Sequence, residues 1–366
     1  MSRVAIVGCG VVGAAIAYEL SQISDLQITV LDRQPPAKAS TGAALGVLMG
    51  VISHKVKGTA WDLRQRSMQR YETLIPELEA KTGRVIPFNR QGIVMLCFEG
   101  DDWQSWERLA QVRLSQGWLL DLWDESDLKL RCPHIMNPRI IGAVHSPSDR
   151  QIDPTALTLA LVQAAQQNGV DFQLNTPVQS IESVSDGAPN RLTTASAVLE
   201  VDWIVLASGL GTTPLTQQAT TPVEIRPVLG QAMRVRVSQP LGDRHFQPVI
   251  TGEDVHLVPL DHQDYWIGAT VEFPTEFPAH EDWVADQAQL EGVWQKAIAL
   301  CPALVQAEQL QTWSGLRPRP HNRPAPIIAP LTGYNKVLLA TGHYRNGVLL
   351  APATAQIIRK MMVEGD

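Results

Sequence analysis

The chain has 366 residues, a formal net charge of −7, and 45% apolar and 18% charged side chains. This is enough chain for two domains with proper cores. The composition is that of an ordinary globular protein, and the negative balance, without a Lys/Arg stripe, argues against a nucleic-acid binder.

Residues 4–7 are apolar and β-branched and predict a buried strand, which breaks into Gly8-x-Gly10-x-x-Gly13 and continues as a helix to Leu20. Each glycine has a reason. Gly8 permits the tight turn, Gly10 lets backbone approach a pyrophosphate, and Gly13 lets the helix lie close to the strand. The helix start, at Val11 and Val12, offers free N–H groups and partial positive charge. A second strand, 27–31, ends on Asp32, about 20 residues past the glycines, where a ribose hydroxyl partner belongs. Strand, glycines, helix, strand and acid in this order predict a bound dinucleotide; a purely structural βαβ turn is the alternative. Residues 4–20 imitate a signal-peptide core, but the glycines and Glu19 argue against export, and the apolar stretch 43–52 is too short to span a bilayer. The chain reads as cytoplasmic. Cys9, Cys97, Cys132 and Cys301 are far apart with no histidine at metal spacing, so they read as free thiols and no metal site is expected.

A loop from Arg33 to Pro36 leads to a run of small residues, 39–49, suited to packing against a flat ligand or to close packing of helix on sheet. Helical periodicity covers 59–81 with Gly83 as its stop, and 101–116 reads as a further helix. Strands are expected at 86–88, 92–98 and 139–146. Asp153-Pro154 starts a helix that reaches Gly169, followed by strands 170–174 and 178–184, a turn at 186–187 and the buried strand 203–207. That last strand opens into Ser208-Gly209-Leu210-Gly211, either a second contact to the same cofactor or a plain strand exit. From 226 onward short alternating runs at 231–237, 248–252, 255–259 and 265–270 predict an antiparallel sheet. A helix at 283–300 and a strand at 311–316 follow, then a proline- and arginine-rich loop, 317–324, in which Arg319 and Arg323 read as surface residues. Strand 336–340 runs into the C-terminal helix. The expected fold class is α/β, with a Rossmann-like parallel-sheet domain (1–85, 147–220 and 321–366) interleaved with an α+β substrate domain on an antiparallel sheet (86–146 and 221–320).

Several motifs are spread over nearly the whole length. They are the glycine fingerprint with Asp32, the run 43–48, Val255-His256-Leu257-Val258-Pro259 with Gly268-Ala269-Thr270, Gly315-Leu316-Arg317-Pro318, and Gly342-His343-Tyr344-Arg345-Asn346-Gly347 leading to Thr354. On these the chain resembles the D-amino-acid-oxidase superfamily of FAD-dependent oxidoreductases, in particular its glycine-oxidase branch. The resemblance implies non-covalent FAD, with pyrophosphate at Gly8, Gly10, Val11, Val12 and Gly13, ribose at Asp32, and Arg33 among the cofactor contacts. It places the flavin against Ala44, Leu45, Gly46 and Val47, adenine at Val178, and a second cofactor contact at Ser208 and Gly209. The last motif, His343, Arg345, Asn346, Gly347, Val348 and Leu349, would cover the flavin. There a helix start contributes about 0.3–1 kcal/mol toward negative charge near N1 and the C2 oxygen.

The resemblance assigns the substrate carboxylate to Arg317, whose planar fork can make two parallel hydrogen bonds. Arg345 would shape the site, and Met49 and Val271 would line the substrate pocket. His256 and Val271 depart from the branch pattern, where a tyrosine and a methionine are expected; His256 is a candidate site residue or a plain rim histidine. The implied reaction is oxidative deamination of glycine, sarcosine or a small D-amino acid. Hydride passes to the flavin, oxygen is the acceptor, hydrogen peroxide the product, and glycine oxidation would tie the chain to thiamine synthesis. The alternatives are a D-amino-acid dehydrogenase passing electrons to a quinone at the membrane, and a non-catalytic FAD-binding protein. A homo-oligomer is compatible with either enzyme reading.

Overall fold

A computed structural model describes residues 1–183, 188–273 and 286–364. The turn expected at 186–187 and the first residues of the 283–300 helix lie outside the described residues. Two large sheets organise the rest. The six-stranded sheet runs in the order Ile327–Pro330, Val337–Thr341, Trp203–Leu206, Ser2–Val7, Leu26–Leu31, Asp171–Gln173, parallel except for the first pair. Its central strand is buried on both faces, which is why 4–7 is uninterruptedly apolar. Val4 and Ile6 meet helices Val11–Leu20, Pro154–Gln167 and Gly347–Glu364 through Ile16, Leu157 and Leu350. Ala5 and Val7 face the opposite way, onto Ile181, Leu192 and Val201 of a three-stranded antiparallel layer.

The eight-stranded sheet runs Glu308–Pro320, Ile225–Arg236, Asp264–Gly268, Val255–Pro259, Val249–Gly252, Ile93–Phe98, Ile140–Ser146, Asp121–Asp124. All neighbours are antiparallel except Val249–Gly252 with Ile93–Phe98. Period-2 alternation divides its faces. Met233, Val235, Ile250, Leu257 and Ile267 pack against helix Gln287–Leu300 through Leu290, Val293 and Ala297. The opposite face, with Ile93, Ala232, Val249 and Val258, receives Leu45, Val47 and Met49. Long helix Thr59–Thr82 ends, as its pattern predicts, on a left-handed Gly83. All four cysteines are free and buried, and no described helix is long and apolar enough to cross a membrane.

One boundary differs in a way that matters. The strand expected at 311–316 runs from Glu308 to Pro320, so Arg317 lies inside it and not past its end, and Arg319 is a strand residue and not part of a loop. Among the described residues the strand pairs with only one neighbour, and Pro227 and Pro318 stand opposite each other in the ladder. An edge strand tolerates prolines whose missing N–H would face outward, and local sequence cannot show which strand is the edge. Strand Asp121–Asp124 and helix Glu125–Arg131 carry no clear periodic signal in their short spans.

Candidate active site

The glycine turn is built by contacts that admit no side chain. Gly8 has φ +109°, and a Cβ there would lie 2.5 Å from the Ala207 carbonyl oxygen; at Gly13 it would lie 1.9 Å from the Gly8 oxygen. Helix Val11–Leu20 has Gly10 as its N-cap, with no capping side chain and no acid in its first turn. The Val11 N–H donates to Thr41 Oγ1 at 3.1 Å. Asp32, half-buried, accepts the N–H groups of Cys9 at 2.6 Å and Gln34 at 3.0 Å. Burial pushes its carboxyl up, and these N–H groups and the Arg33 charge pull it down. The Thr176 N–H donates to the Asp32 carbonyl at 2.8 Å, bringing Val178 to the same end of the sheet. Arg33 itself is exposed.

From this turn two segments lead toward the eight-stranded sheet. One is Ser208-Gly209, beside Gly8. Ser208 Oγ meets Thr212 Oγ1 at 3.1 Å, Thr212 meets Thr341 at 2.9 Å, and Thr341 reaches the Gly209 carbonyl at 3.3 Å. The other is the small-residue run. Ser40 Oγ donates to the Leu316 carbonyl at 2.6 Å and Trp313 Nε1 to the Ala43 carbonyl at 3.1 Å. A Cβ on Gly315 would fall 2.2 Å from that of Ala43. Gly46 and Leu45 are buried, while Ala44 and Val47 are half-exposed.

At the far end Arg317 projects from the same sheet face as Gly315. Its guanidinium lies flat over Gly230, where a Cβ would be 2.3 Å from two of its nitrogens. Nη1 donates to the carbonyls of Leu229 and Thr270, each at 3.0 Å, and Nη2 has no partner among the described residues. Burial lowers the Arg317 pKa and the neighbouring Arg345 charge lowers it further, against Tyr344 and Glu272. Glu272 Oε1 is held by Thr270 Oγ1 at 2.6 Å and Gln231 Nε2 at 2.8 Å. Val271 stands half-buried between Thr270 and Glu272.

His256 is paired across the strands with Thr251, its Nδ1 2.9 Å from Thr251 Oγ1. Burial, then the Arg345 and Arg317 charges, push it down to about 4, with Asp254 opposing. It is therefore neutral at ordinary pH. His343 is almost fully buried, with Nε2 3.0 Å from Thr354 Oγ1 in the last helix, and burial pushes it down to about 4. It ties the turn Tyr344–Asn346 to helix Gly347–Glu364, whose Val348 carbonyl accepts the Tyr71 hydroxyl. The Asn346 N–H donates to the His343 carbonyl at 3.0 Å, and Leu349 is buried. Arg345 is exposed, 5.6 Å from the Tyr344 ring centre; Arg319 lies 5.7 Å from the same ring.

The tertiary structure thus brings Arg317, Arg345 and His256 within one another's electrostatic reach and gathers Asp32, Val178 and the glycine turn at the other end. Met49 is half-buried behind Leu45 and Val47. Sequence reasoning missed Gly230, Thr251 and the Arg319–Tyr344 stack. An isolated glycine inside the alternating 225–236 pattern was the available signal, since such a glycine often marks close approach of another group.

A parallel sheet with a glycine turn at the carboxyl ends of its strands, joined to an arginine-bearing antiparallel sheet, defines a dinucleotide-dependent oxidoreductase. The chain belongs to the DAO family of FAD dependent oxidoreductases, whose model matches residues 3–361. It is 32% identical over 372 residues to the bifunctional protein ThiO/ThiG of Synechocystis sp., covering 99% of this chain and 52% of that protein. A glycine oxidase of Bacillus licheniformis is 28% identical over 366 residues, 98% of this chain and 92% of its own. The crystal structure of glycine oxidase from Geobacillus kaustophilus superposes with a TM-score of 0.88 at 26% identity, covering 100% of this chain and 96% of that one. The chain spans about half the length of the bifunctional relatives it matches. The family's FAD fits the residues present: a helix start with a glycine N-cap and no acid in its first turn for the pyrophosphate, where Thr41 Oγ1 holds the Val11 N–H, spare lone pairs on Asp32, and glycines that leave the track between them free of side chains.

Proposed function

We propose that the protein oxidises a small amine bearing a carboxylate, of the kind represented by glycine, sarcosine and small D-amino acids. The products are an imino acid, hydrolysed to the 2-oxo acid and amine, and hydrogen peroxide from dioxygen. The observation that carries this reading is Arg317: its guanidinium is seated on Gly230 and tethered through one nitrogen, leaving Nη2 for an incoming carboxylate. Charge-assisted bonds of this kind contribute about 1.5–3 kcal/mol each. Arg345 adds a second positive charge. Neutral His256, fixed through Nδ1 by Thr251, presents Nε2 to the substrate without a third charge that would repel an ammonium group.

FAD, when bound, takes the two electrons released from the substrate's Cα–N unit. The chain's own residues orient that unit and exclude water from it. In this reading residues 1–85, 147–220 and 321–366 hold the cofactor, and 86–146 with 221–320 supply the substrate wall.

The test is anaerobic mixing of the FAD-loaded protein with a panel of amines. Bleaching of the flavin by amine carboxylates but not by their amides is expected. Bleaching by none of them would overturn the reading, and slow reoxidation by dissolved oxygen beside rapid quinone reduction would replace dioxygen as acceptor.

A further inference from the structure

The loop that follows Met49 is gripped from both sides by fully buried charged groups. Asp149 has no exposed surface. Its Oδ1 accepts the N–H groups of Gly50 at 2.7 Å and Val51 at 2.8 Å, and Oδ2 accepts that of Ile52 at 2.8 Å. Three amide donors converging on two oxygens suit a carboxylate, not the acid. The carbonyls of the same loop are taken by Arg113, from helix Trp103–Ser115 and equally buried. Nε donates to Val51 at 2.6 Å, and Nη2 to Ser53 at 2.5 Å and Lys55 at 2.9 Å. The guanidinium carbon stands 3.7 Å from the Trp61 ring centre, and Gln116 extends the grip by donating to the Val56 carbonyl at 2.8 Å. Gly50 has no slack either, since a Cβ there would lie 2.6 Å from Met68 Cγ.

Burying a carboxylate and a guanidinium is costly unless each is fully bonded. Here the carboxylate and two of the three guanidinium nitrogens bond the backbone of one seven-residue stretch, 50–56, while Nη1 donates to Gln116 Oε1 at 2.6 Å; the upstream neighbours of the stretch are Met49 and the run 44–48. That run in turn lies against the sheet face that carries Ala232, Val249 and Val258. We infer that Asp149 and Arg113 are positioning residues of the active site, a two-sided clamp that fixes the height of residues 44–49 above the antiparallel sheet. The clamp sets how closely that run seats on the sheet face. It acts on backbone alone and touches neither substrate nor cofactor. The inference rests on the reading of 44–47 and Met49 as the wall of the FAD and substrate site.

The test uses the FAD-loaded full chain with Asp149→Asn, which keeps size but turns one oxygen into an N–H₂ group facing an amide donor. Arg113→Lys serves as a milder second variant in case Asp149→Asn does not fold. The expected result has three parts: amide exchange across 44–52 at least about tenfold faster, a shifted visible flavin band, and FAD affinity within about threefold of wild type because the glycine turn is untouched. The limiting rate of anaerobic flavin reduction by an amine, per bound FAD, should fall about tenfold or more. A variant with lowered thermal stability but wild-type exchange at 44–52 and an unchanged flavin band would overturn the clamp. The exchange and the band are read without substrate, so they decide the inference even if no amine reduces the wild-type flavin, the outcome that sinks the proposed reaction.

Discussion

The two ends of the candidate site are built on opposite plans. The nucleotide end is made of backbone: Gly8, Gly10 and Gly13 are neighbours in sequence, and Asp32 follows one helix and one strand later. The proposed substrate end is made of side chains that come from different strands. Arg317 belongs to the sheet edge, its seat Gly230 to the next strand, His256 to a hairpin two strands further in, and Arg345 to the turn before the last helix. A backbone site tolerates almost no added atom but is indifferent to side-chain chemistry nearby. A side-chain site tolerates repacking but depends on each charged group's seat.

Substitutions at the two ends should therefore separate binding of cofactor from turnover. The largest effect is expected for Gly13→Ala, whose methyl group would overlap the Gly8 carbonyl. Displacing the turn by roughly 3 kcal/mol corresponds to about 100-fold or more weaker FAD binding, read by flavin fluorescence on titration. Arg317→Ala should leave FAD affinity within about threefold while lowering kcat/KM about 100-fold, from the lost carboxylate bonds. Full activity of this variant on amine carboxylates would remove Arg317 from the site. Gly230→Ala attacks the seat without touching the charge. Pushing the guanidinium off Leu229 and Thr270 should raise KM about tenfold with a smaller change in kcat.

The smallest effect sharpens the contrast by its absence. His256 is held down to about 4 in the free protein, so it gains its proton only as pH falls toward that value. The pH profile of kcat/KM should show no ionisation from it between pH 5 and 8. Protonation at lower pH adds a positive charge beside Arg317 and Arg345 and should weaken binding of an ammonium-bearing substrate. A break near 6.5 that disappears in His256→Asn would mean an imidazole open to water.

The local structure of the proposed nucleotide end was legible because its information is local. A strand of 4–7, glycines at fixed spacing and an acid after the next strand each follow from a short-range rule, and the structure places them together through Asp32 and the Cys9 N–H. The substrate end was legible only through resemblance. Composition and periodicity alone set Arg317 after a strand and Arg319 on a surface loop, whereas both are residues of the edge strand Glu308–Pro320. The prolines that suggested a loop are tolerated because no strand among the described residues pairs with the outer side. Asp149 carried no signal at all, since a lone acid between two strands looks like any turn residue until three amides, 97 to 99 positions away, are seen to meet it.

The sequence by itself determined most of the long helices, the glycine turn with its acid and the buried central strand of the parallel sheet, because hydrophobic period and glycine sterics act over a few residues. Only the tertiary structure decided which strand is the edge, where a guanidinium finds a glycine to lie on, and which histidine is kept neutral. Those outcomes depend on burial and on charges contributed by segments far apart in the chain, and no local pattern encodes them.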